Sequence, residues 1–281
     1  MNTARALDQF YTDPALARAL TARLLAFLDA RGLRHVGFLE PSAGEGAFVD
    51  ALADLRPSAQ RWACDLDPKH REAQRSDFFA FEQTAEVVFG NPPFGKNATL
   101  AVRFFNHAAR SARVIAFIVP RTFEKDSLKN RLDDRFELAD QTAIDPRSFR
   151  LNGENVAVPC VFQIWERLPV GKRRAAAHAA TSHRDFRFVK DRSEAAFVFQ
   201  RVGAQAGRTK EVDHPHAASA SHYFLAPNGR LSAATLRKRL DSIDWDPIKG
   251  RTAGNPSIGK GELVAAYARA VAERAKPRPN A

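Results

Sequence analysis

The sequence predicts an α/β fold: a mostly parallel sheet with helices on both faces, joined to a smaller basic α+β domain. Three observations carry this expectation. Strand-like and helical patterns alternate through the first 167 of the 281 residues, the order of successive βα units. Residues 114–119 form a continuous apolar run, and 156–165 form a second long one, as suits strands buried on both faces. The charge is also divided. Residues 1–169 hold 22 Lys and Arg against 22 Asp and Glu, so the whole net charge of +11 lies in 170–281. A neutral part joined to a basic part suggests a chemistry domain beside a domain for a polyanion.

A helix is expected over residues 13–30, with Asp13 as its N-cap and Pro14 in the first turn. Leu16, Leu20, Leu24, Phe27 and Leu28 recur at helical spacing, and Gly32 ends the run. A strand at 36–39 leads through a glycine turn to a helix at 47–55. Strands follow at 62–65 and 87–89, a helix at 100–110, and the two apolar strands. This first domain is assigned to 1–169. Residues 170–184 are basic, Ala-rich and aperiodic, which marks a linker. The second domain, 185–275, has strand-like runs at 186–189, 196–202 and 222–225, then helices at 233–240 and 261–275. Residues 276–281 form a tail expected to be disordered.

No apolar run reaches the roughly 20 residues that span a bilayer. Residues 1–5 lack the pattern of a signal peptide. Two cysteines, Cys64 and Cys160, cannot build a disulfide framework or a metal site by their spacing. The expected setting is cytoplasmic, with no metal.

Four segments, three of them at the end of a strand-like run, form a chemical series. Glu40, Pro41, Ser42, Ala43, Gly44, Glu45 and Gly46 make a turn in which two glycines allow close approach to a ligand before a helix N-terminus. Asp65 follows about 20 residues later, where a carboxylate can accept hydrogen bonds from ribose hydroxyls. Asp77 and Phe78 pair an acceptor with an aromatic face, a combination suited to an adenine ring. Asn91, Pro92, Pro93 and Phe94 come directly after the strand at 87–89. An aromatic amine is a poor nucleophile because its lone pair is delocalised into the ring. The Asn91 side-chain oxygen and the Pro92 carbonyl can accept its two N–H groups and help localise that pair. The prolines fix the acceptors in place, and Phe94 can stack on the base.

At these residues the chain resembles the S-adenosylmethionine (SAM)-dependent adenine N6-methyltransferases, over roughly residues 8–167. Their motif IV is Asn or Asp, then Pro-Pro, then Tyr, Phe or Trp. The segment Asp8, Gln9, Phe10, Tyr11 and Thr12 is similar to their motif X, and it precedes the others in the order called γ-like among DNA methyltransferases. The resemblance implies a class I SAM-methyltransferase (Rossmann-like) seven-stranded sheet, mainly parallel with a reversed last strand. It implies that Tyr11 and Thr12 help hold the methionine part of SAM. Glu40, Ser42, Gly44 and Gly46 would line the cofactor loop, with Asp65 at the ribose and Asp77 and Phe78 at the adenine. Asn91 would adjoin the cofactor, and Asn91, Pro92, Pro93 and Phe94 would serve catalysis.

The implied reaction is methyl transfer to the N6 amino group of adenine in DNA, within a site-specific, restriction-modification type of enzyme. Alternatives are N6-adenine methylation of RNA, methylation of a protein glutamine, and a nucleic-acid-binding module that has lost catalysis. Phe149, beside Arg147 and Arg150, is a candidate second base-stacking residue. The basic domain, some 112 residues after position 169, is short for reading a long site. Gly254, Gly259 and Lys260 nearly fit a phosphate loop, but Gly261 replaces its hydroxyl and Pro256 removes an amide donor. Nucleotide hydrolysis is therefore excluded, and Arg251 and Lys260 remain as candidate contacts to backbone phosphates.

Overall fold

The computed structural model describes residues 11–151, 154–173, 180–250, 252 and 255–275. Asp8, Gln9 and Phe10, residues 174–179 of the expected linker, Arg251, Gly254 and the tail 276–281 lie outside the described residues. The chain divides into two compact units, Met1–Ala175 and Ala176–Ala281.

In the first unit β1 (Tyr11–Thr12) precedes helix α1 (Pro14–Asp29). Asp13 caps that helix, its carboxylate accepting from the Ala15 and Leu16 amides. Next come β2 (Phe38–Glu40), α2 (Ala47–Leu55), β3 (Arg61–Asp65), β4 (Ala73–Arg75) and β5 (Val87–Gly90). These lead to α3 (Thr99–Ala108), β6 (Val114–Pro120), the short α4 (Asp126–Lys129) and β7 (Phe136–Ala143). The unit ends with β8 (Phe149–Leu151), β9 (Glu154–Val156) and β10 (Cys160–Arg167).

Seven strands form one sheet in the order β4-β3-β2-β5-β6-β10-β7. Pairs from β4 through β6 are parallel, and β10 runs antiparallel to both β6 and β7. The reversed strand is thus the last in the chain, as expected, and it sits inside the sheet. Every residue of β6 is buried, as the unbroken apolar run predicts for a central strand. Helix α1 contributes Ala17, Leu20, Leu24 and Leu28 to the same core, and α3 contributes Ala101, Val102 and Phe105.

The expected single strand at 156–165 is two strands in different sheets. Val156 pairs with Phe149 in a small sheet of order β1-β8-β9, while β10 starts at Cys160. Pro159 lies between them and has no N–H to give to a ladder. Strand β7 carries no apolar run, because it lies at the sheet edge, where after the buried Phe136 half-buried positions alternate with exposed ones.

The second unit has a four-stranded antiparallel sheet of β11 (Phe186–Val189), β12 (Phe197–Gln200), β13 (Thr209–Lys210) and β14 (His222–Pro227). Their order is β11-β14-β12-β13. Helices α5 (Ala233–Asp241), α6 (Asp246–Lys249) and α7 (Lys260–Ala275) follow. Phe186, Phe197, Phe199 and Leu225 from the sheet share a core with Leu236, Leu240, Leu263 and Tyr267 from the helices. Among the described residues no helix is long and apolar enough to cross a membrane.

Candidate active site

A cavity of about 560 Å³ opens in the first unit beside the carboxyl ends of β2, β3, β4 and β5. Ligands of open α/β sheets bind outside those ends, where loops meet and the strand order reverses. Tyr11, Thr12, Glu40, Ser42, Gly44, Asp65, Asp77, Phe78 and Asn91 all line it. Residues spread over some 80 positions of sequence therefore converge on one space.

The turn after β2 is tied to the strand beside it. The Gly44 amide donates to Asp65 Oδ2 at 2.8 Å, and the Asp67 amide donates to Oδ1 at 2.8 Å. Each oxygen keeps a second lone pair for a ligand hydroxyl. Gly44 has φ +52°, and a Cβ there would stand 3.1 Å from the Tyr11 ring. Gly46 closes the turn through its amide to the Ala43 carbonyl at 2.7 Å and does not line the cavity.

Glu40 is only 2% exposed, and its Oε2 has no hydrogen-bond partner. No cation pairs with it among the described residues. Burial pushes its carboxyl well above the ordinary 4.5, and the neighbouring Asp65 adds to the shift. A buried acceptor of this kind, on a cavity wall, suits a ligand ammonium.

The amide of Asn91 is oriented by the residue opposite. Its Nδ2 donates to Thr12 Oγ1 at 3.2 Å, which turns the side-chain oxygen to the other side. The Ser42 hydroxyl donates to the Asn91 carbonyl at 3.1 Å, so the glycine turn and the Asn-Pro-Pro segment are fastened together. Pro93 lines the cavity, whereas Pro92 is buried and does not.

Two aromatic expectations need correction. Phe149, the candidate second stacking residue, is fully buried in the core, where β8 pairs Phe149 with Thr12. It backs the β1 strand and offers no face to a base. Phe94 is 8% exposed, belongs to the same core, and does not line the cavity. The turn after it explains why. Gly95, Asn97 and Ala98 all have positive φ, and a Cβ on Gly95 would stand 2.7 Å from Leu100 Cβ. The chain folds back sharply into α3, with the Leu100 and Ala101 amides on the Phe94 carbonyl. Of the flanking arginines, Arg147 is an exposed partner of Asp145.

The aromatic wall comes from Phe78, which the sequence singled out, together with Phe79, Phe104 and Leu100, which it did not. Phe78 and Phe79 meet Phe104 at 5.1 and 5.2 Å between ring centroids, and Leu100 adjoins them on the cavity. The Arg103 guanidinium lies 4.6 Å over the Phe79 ring, and Lys96 and the exposed Leu66 complete the mouth. Leu100, Arg103 and Phe104 share one helical face at i, i+3 and i+4, a signal visible in sequence only once that face is known to meet Asp77. Asp77 accepts from the Phe79 amide at 3.0 Å, which fixes the start of this wall.

In the second unit Lys260 is exposed, with its Nζ 4.9 Å over Phe188 and 5.8 Å over Tyr223. Arg201 lies 5.1 Å over the same Tyr223.

No protein-family model matches the chain, and no curated protein is significantly similar to it. Similar solved structures include a proposed RNA methyltransferase of Pyrococcus horikoshii, 17% identical over 53% of this chain and 83% of that one, with a TM-score of 0.40. A proposed class I SAM-dependent methyltransferase of Listeria monocytogenes is 14% identical over 59% and 63%, with a TM-score of 0.44. The magnesium protoporphyrin IX methyltransferase of Synechocystis PCC 6803, solved with bound SAM, is 12% identical over 53% and 79%, with a TM-score of 0.40. TM-scores this low leave the fold resting on its strand order, which is that of the Rossmann-like class I methyltransferase domain.

Proposed function

We propose that the protein binds SAM in this cavity and transfers its methyl group to the N6 amino nitrogen of adenine in DNA. The observation that carries this reading is Asn91, an amide oriented by Thr12 on the cavity wall, directly after β5 and followed by two prolines. The donor set fits the cofactor. Glu40 suits its ammonium, Asp65 its ribose hydroxyls, and Asp77 with Phe78, Phe79, Leu100 and Phe104 a flat aminopurine. When bound, SAM supplies a methyl group made electrophilic by a positively charged sulfur.

The chain's own task is to orient the amine and exclude water. The Asn91 oxygen and the Pro92 carbonyl accept the two N–H groups and draw the nitrogen lone pair out of conjugation. No strong base is required, since the nitrogen proton becomes acidic once the nitrogen carries the methyl. Phe94 acts as a stacking platform only if the turn at Gly95 opens, and an adenine leaving its stack supplies the occasion for that movement.

The second unit supplies the grip on the polynucleotide in this reading, through Lys260, Arg201 and Arg251. Its basic excess predicts binding that weakens steeply with salt.

Labelled SAM incubated with DNA, RNA and protein pools, followed by digestion, tests the proposal. The expected product is N6-methyladenine from DNA. Label in RNA alone would move the substrate to RNA, and label on glutamine would replace the nucleic-acid reading. Intact SAM binding without label anywhere would favour a binding module. Asn91→Ala should lower transfer about 100- to 1000-fold while leaving SAM affinity within a few-fold.

A further inference from the structure

A line of side-chain hydrogen bonds crosses the sheet of the first unit and ends at its carboxyl edge. The Trp165 indole donates to Gln163 Oε1 at 3.0 Å. Gln163 Nε2 donates to Gln141 Oε1 at 2.7 Å, and Gln141 Nε2 donates to Glu124 Oε1 at 3.1 Å. The other Glu124 oxygen accepts from Arg121 Nε at 3.0 Å.

The direction of this line is fixed by chemistry at both ends. An indole N–H can only donate, so the Gln163 oxygen must face Trp165 and its NH₂ must face Gln141. The same constraint passes to Gln141, whose NH₂ must face Glu124. A carboxylate only accepts, and it is left with one oxygen for the guanidinium. Gln163 is fully buried, so its amide cannot flip without stranding a polar group, whereas Gln141 is exposed and its order is set by the Gln163 amide it accepts from. An apolar residue at 163 would fill the core without this requirement. The line thus runs from the buried core to an exposed end.

That end is Arg121, whose side chain is 41% exposed. Only its Nε is used, and neither terminal nitrogen makes a hydrogen bond among the described residues. Arg121 is the first residue after β6, just as Asn91 is the first after the neighbouring parallel strand β5. Its amide also donates to the Pro159 carbonyl at 3.1 Å, which anchors the backbone. The cavity draws on β1, on the ends of β2 through β5, and on α3, and on nothing after β6. Displacement at a methyl carbon needs donor and acceptor on opposite sides of that carbon. Strand β6 borders β5 on the side away from β2, so an acceptor reaching Asn91 from outside the cavity would meet the end of β6.

We propose that Arg121 grips a backbone phosphate of the acceptor strand beside the target adenine, and that Trp165, Gln163, Gln141 and Glu124 hold its guanidinium ready for that contact. The proposal rests on the reading above that the acceptor adenine belongs to a polynucleotide. A planar fork with two free NH₂ groups matches phosphate oxygens, and a braced fork loses little freedom on binding. Arg121 would be a positioning residue, acting on the strand and not on the reacting nitrogen.

The test uses the full chain, labelled single-stranded adenine-containing oligonucleotides in DNA and RNA forms, and a salt series read by fluorescence anisotropy, with methylation kinetics alongside. Arg121→Ala should raise KM for the oligonucleotide about 3- to 10-fold and lower the slope of log Kd against log salt by about one. SAM affinity and kcat should stay near wild type. Arg121→Lys should restore the slope, which counts charge, but only part of the affinity, which depends on the fork. Glu124→Gln keeps the arginine charge and loosens its hold, so KM should rise with the slope unchanged. The polymer whose binding responds identifies the source of the phosphate. An unchanged slope and KM in Arg121→Ala, with a wild type that methylates polynucleotide, would overturn the proposal and leave the proposed function standing. Equal losses of thermal stability and SAM affinity in Arg121→Ala and Arg121→Lys would make the line a scaffold only and also overturn it. A wild type that neither binds nor methylates either polymer would remove the reading beneath, and the proposal with it.

Discussion

Among the described residues each unit buries one carboxylate, and the two are treated in opposite ways. Asp185 in the second unit is 5% exposed and fully occupied by its own chain. Tyr267, itself fully buried, donates to it at 3.0 Å, and Arg239 and Arg184 stand 3.7 and 3.8 Å away. Glu40 in the first unit is 2% exposed, has one oxygen without a partner, and has no cation beside it among the described residues. A buried charge surrounded by donors and cations joins elements, here β11's approach to α5 and α7. One left without them sits at a cost to the fold that a cationic ligand can relieve. In the proposed function, the difference separates a structural acid from a binding one.

Three substitutions bear on that comparison, from the largest effect to the smallest. Asp185→Asn should destabilise the second unit by about 3 kcal/mol and leave SAM affinity untouched. Calorimetry with a SAM titration reads both, and a loss of SAM binding without a loss of stability would break the contrast.

Glu40→Gln should do the reverse. SAM affinity should fall roughly 10- to 100-fold, the worth of a charge-assisted hydrogen bond. Stability of the ligand-free protein should rise with pH relative to wild type. The sign follows from linkage. The folded-state value lies above the ordinary 4.5, so the folded protein keeps a proton that the unfolded chain loses. The stability this confers is complete below about 4.5 and is lost as pH climbs through the raised value. The variant lacks that loss, so the two melting temperatures should diverge as pH rises above about 4.5. Parallel curves would show that Glu40 is not held in this way.

Leu66→Ser sharpens the contrast at its mildest point. Leu66 is 60% exposed on the cavity mouth, so its removal costs the fold almost nothing. SAM affinity should drop about 3- to 10-fold as an apolar cover is lost, with an unchanged melting temperature. Isothermal titration would detect it, and an unaltered affinity would put the cofactor elsewhere along the wall.

Much of the fold was legible because its signals are local. Asp13 before Pro14 set the start of α1, an unbroken apolar run marked β6, and Gly44 and Gly46 marked the turn into α2. Glu40, Asp65 and Asn91, which line the cavity, were legible for the same reason, since each stands at the end of a strand. Strand β7 was not, because an edge strand needs apolar residues on one face only and Phe136 alone starts its alternation. Strand β10 was misread at its start because Val156 and Cys160 belong to different sheets, divided by Pro159. Leu100, Arg103 and Phe104 were missed because their role exists only where α3 meets Phe78 and Phe79.

What the sequence determined by itself was a series of groups: carboxylates at 40 and 65 and an amide at 91 at strand ends, prolines that stiffen it, and a carboxylate at 77 whose strand only the structure shows. Local backbone chemistry suffices for that, since strands, turns and caps are encoded within a few residues. Which groups face the cavity was decided only by tertiary packing. Phe94 and Phe149 have the right chemistry for a base platform, yet both are buried, because a tight turn at Gly95 and a strand pair with Thr12 direct them into the core. Glu40 and Asp185 look alike as letters. Folding gave one of them partners and left the other waiting, because contacts between distant residues decide where a buried charge is met.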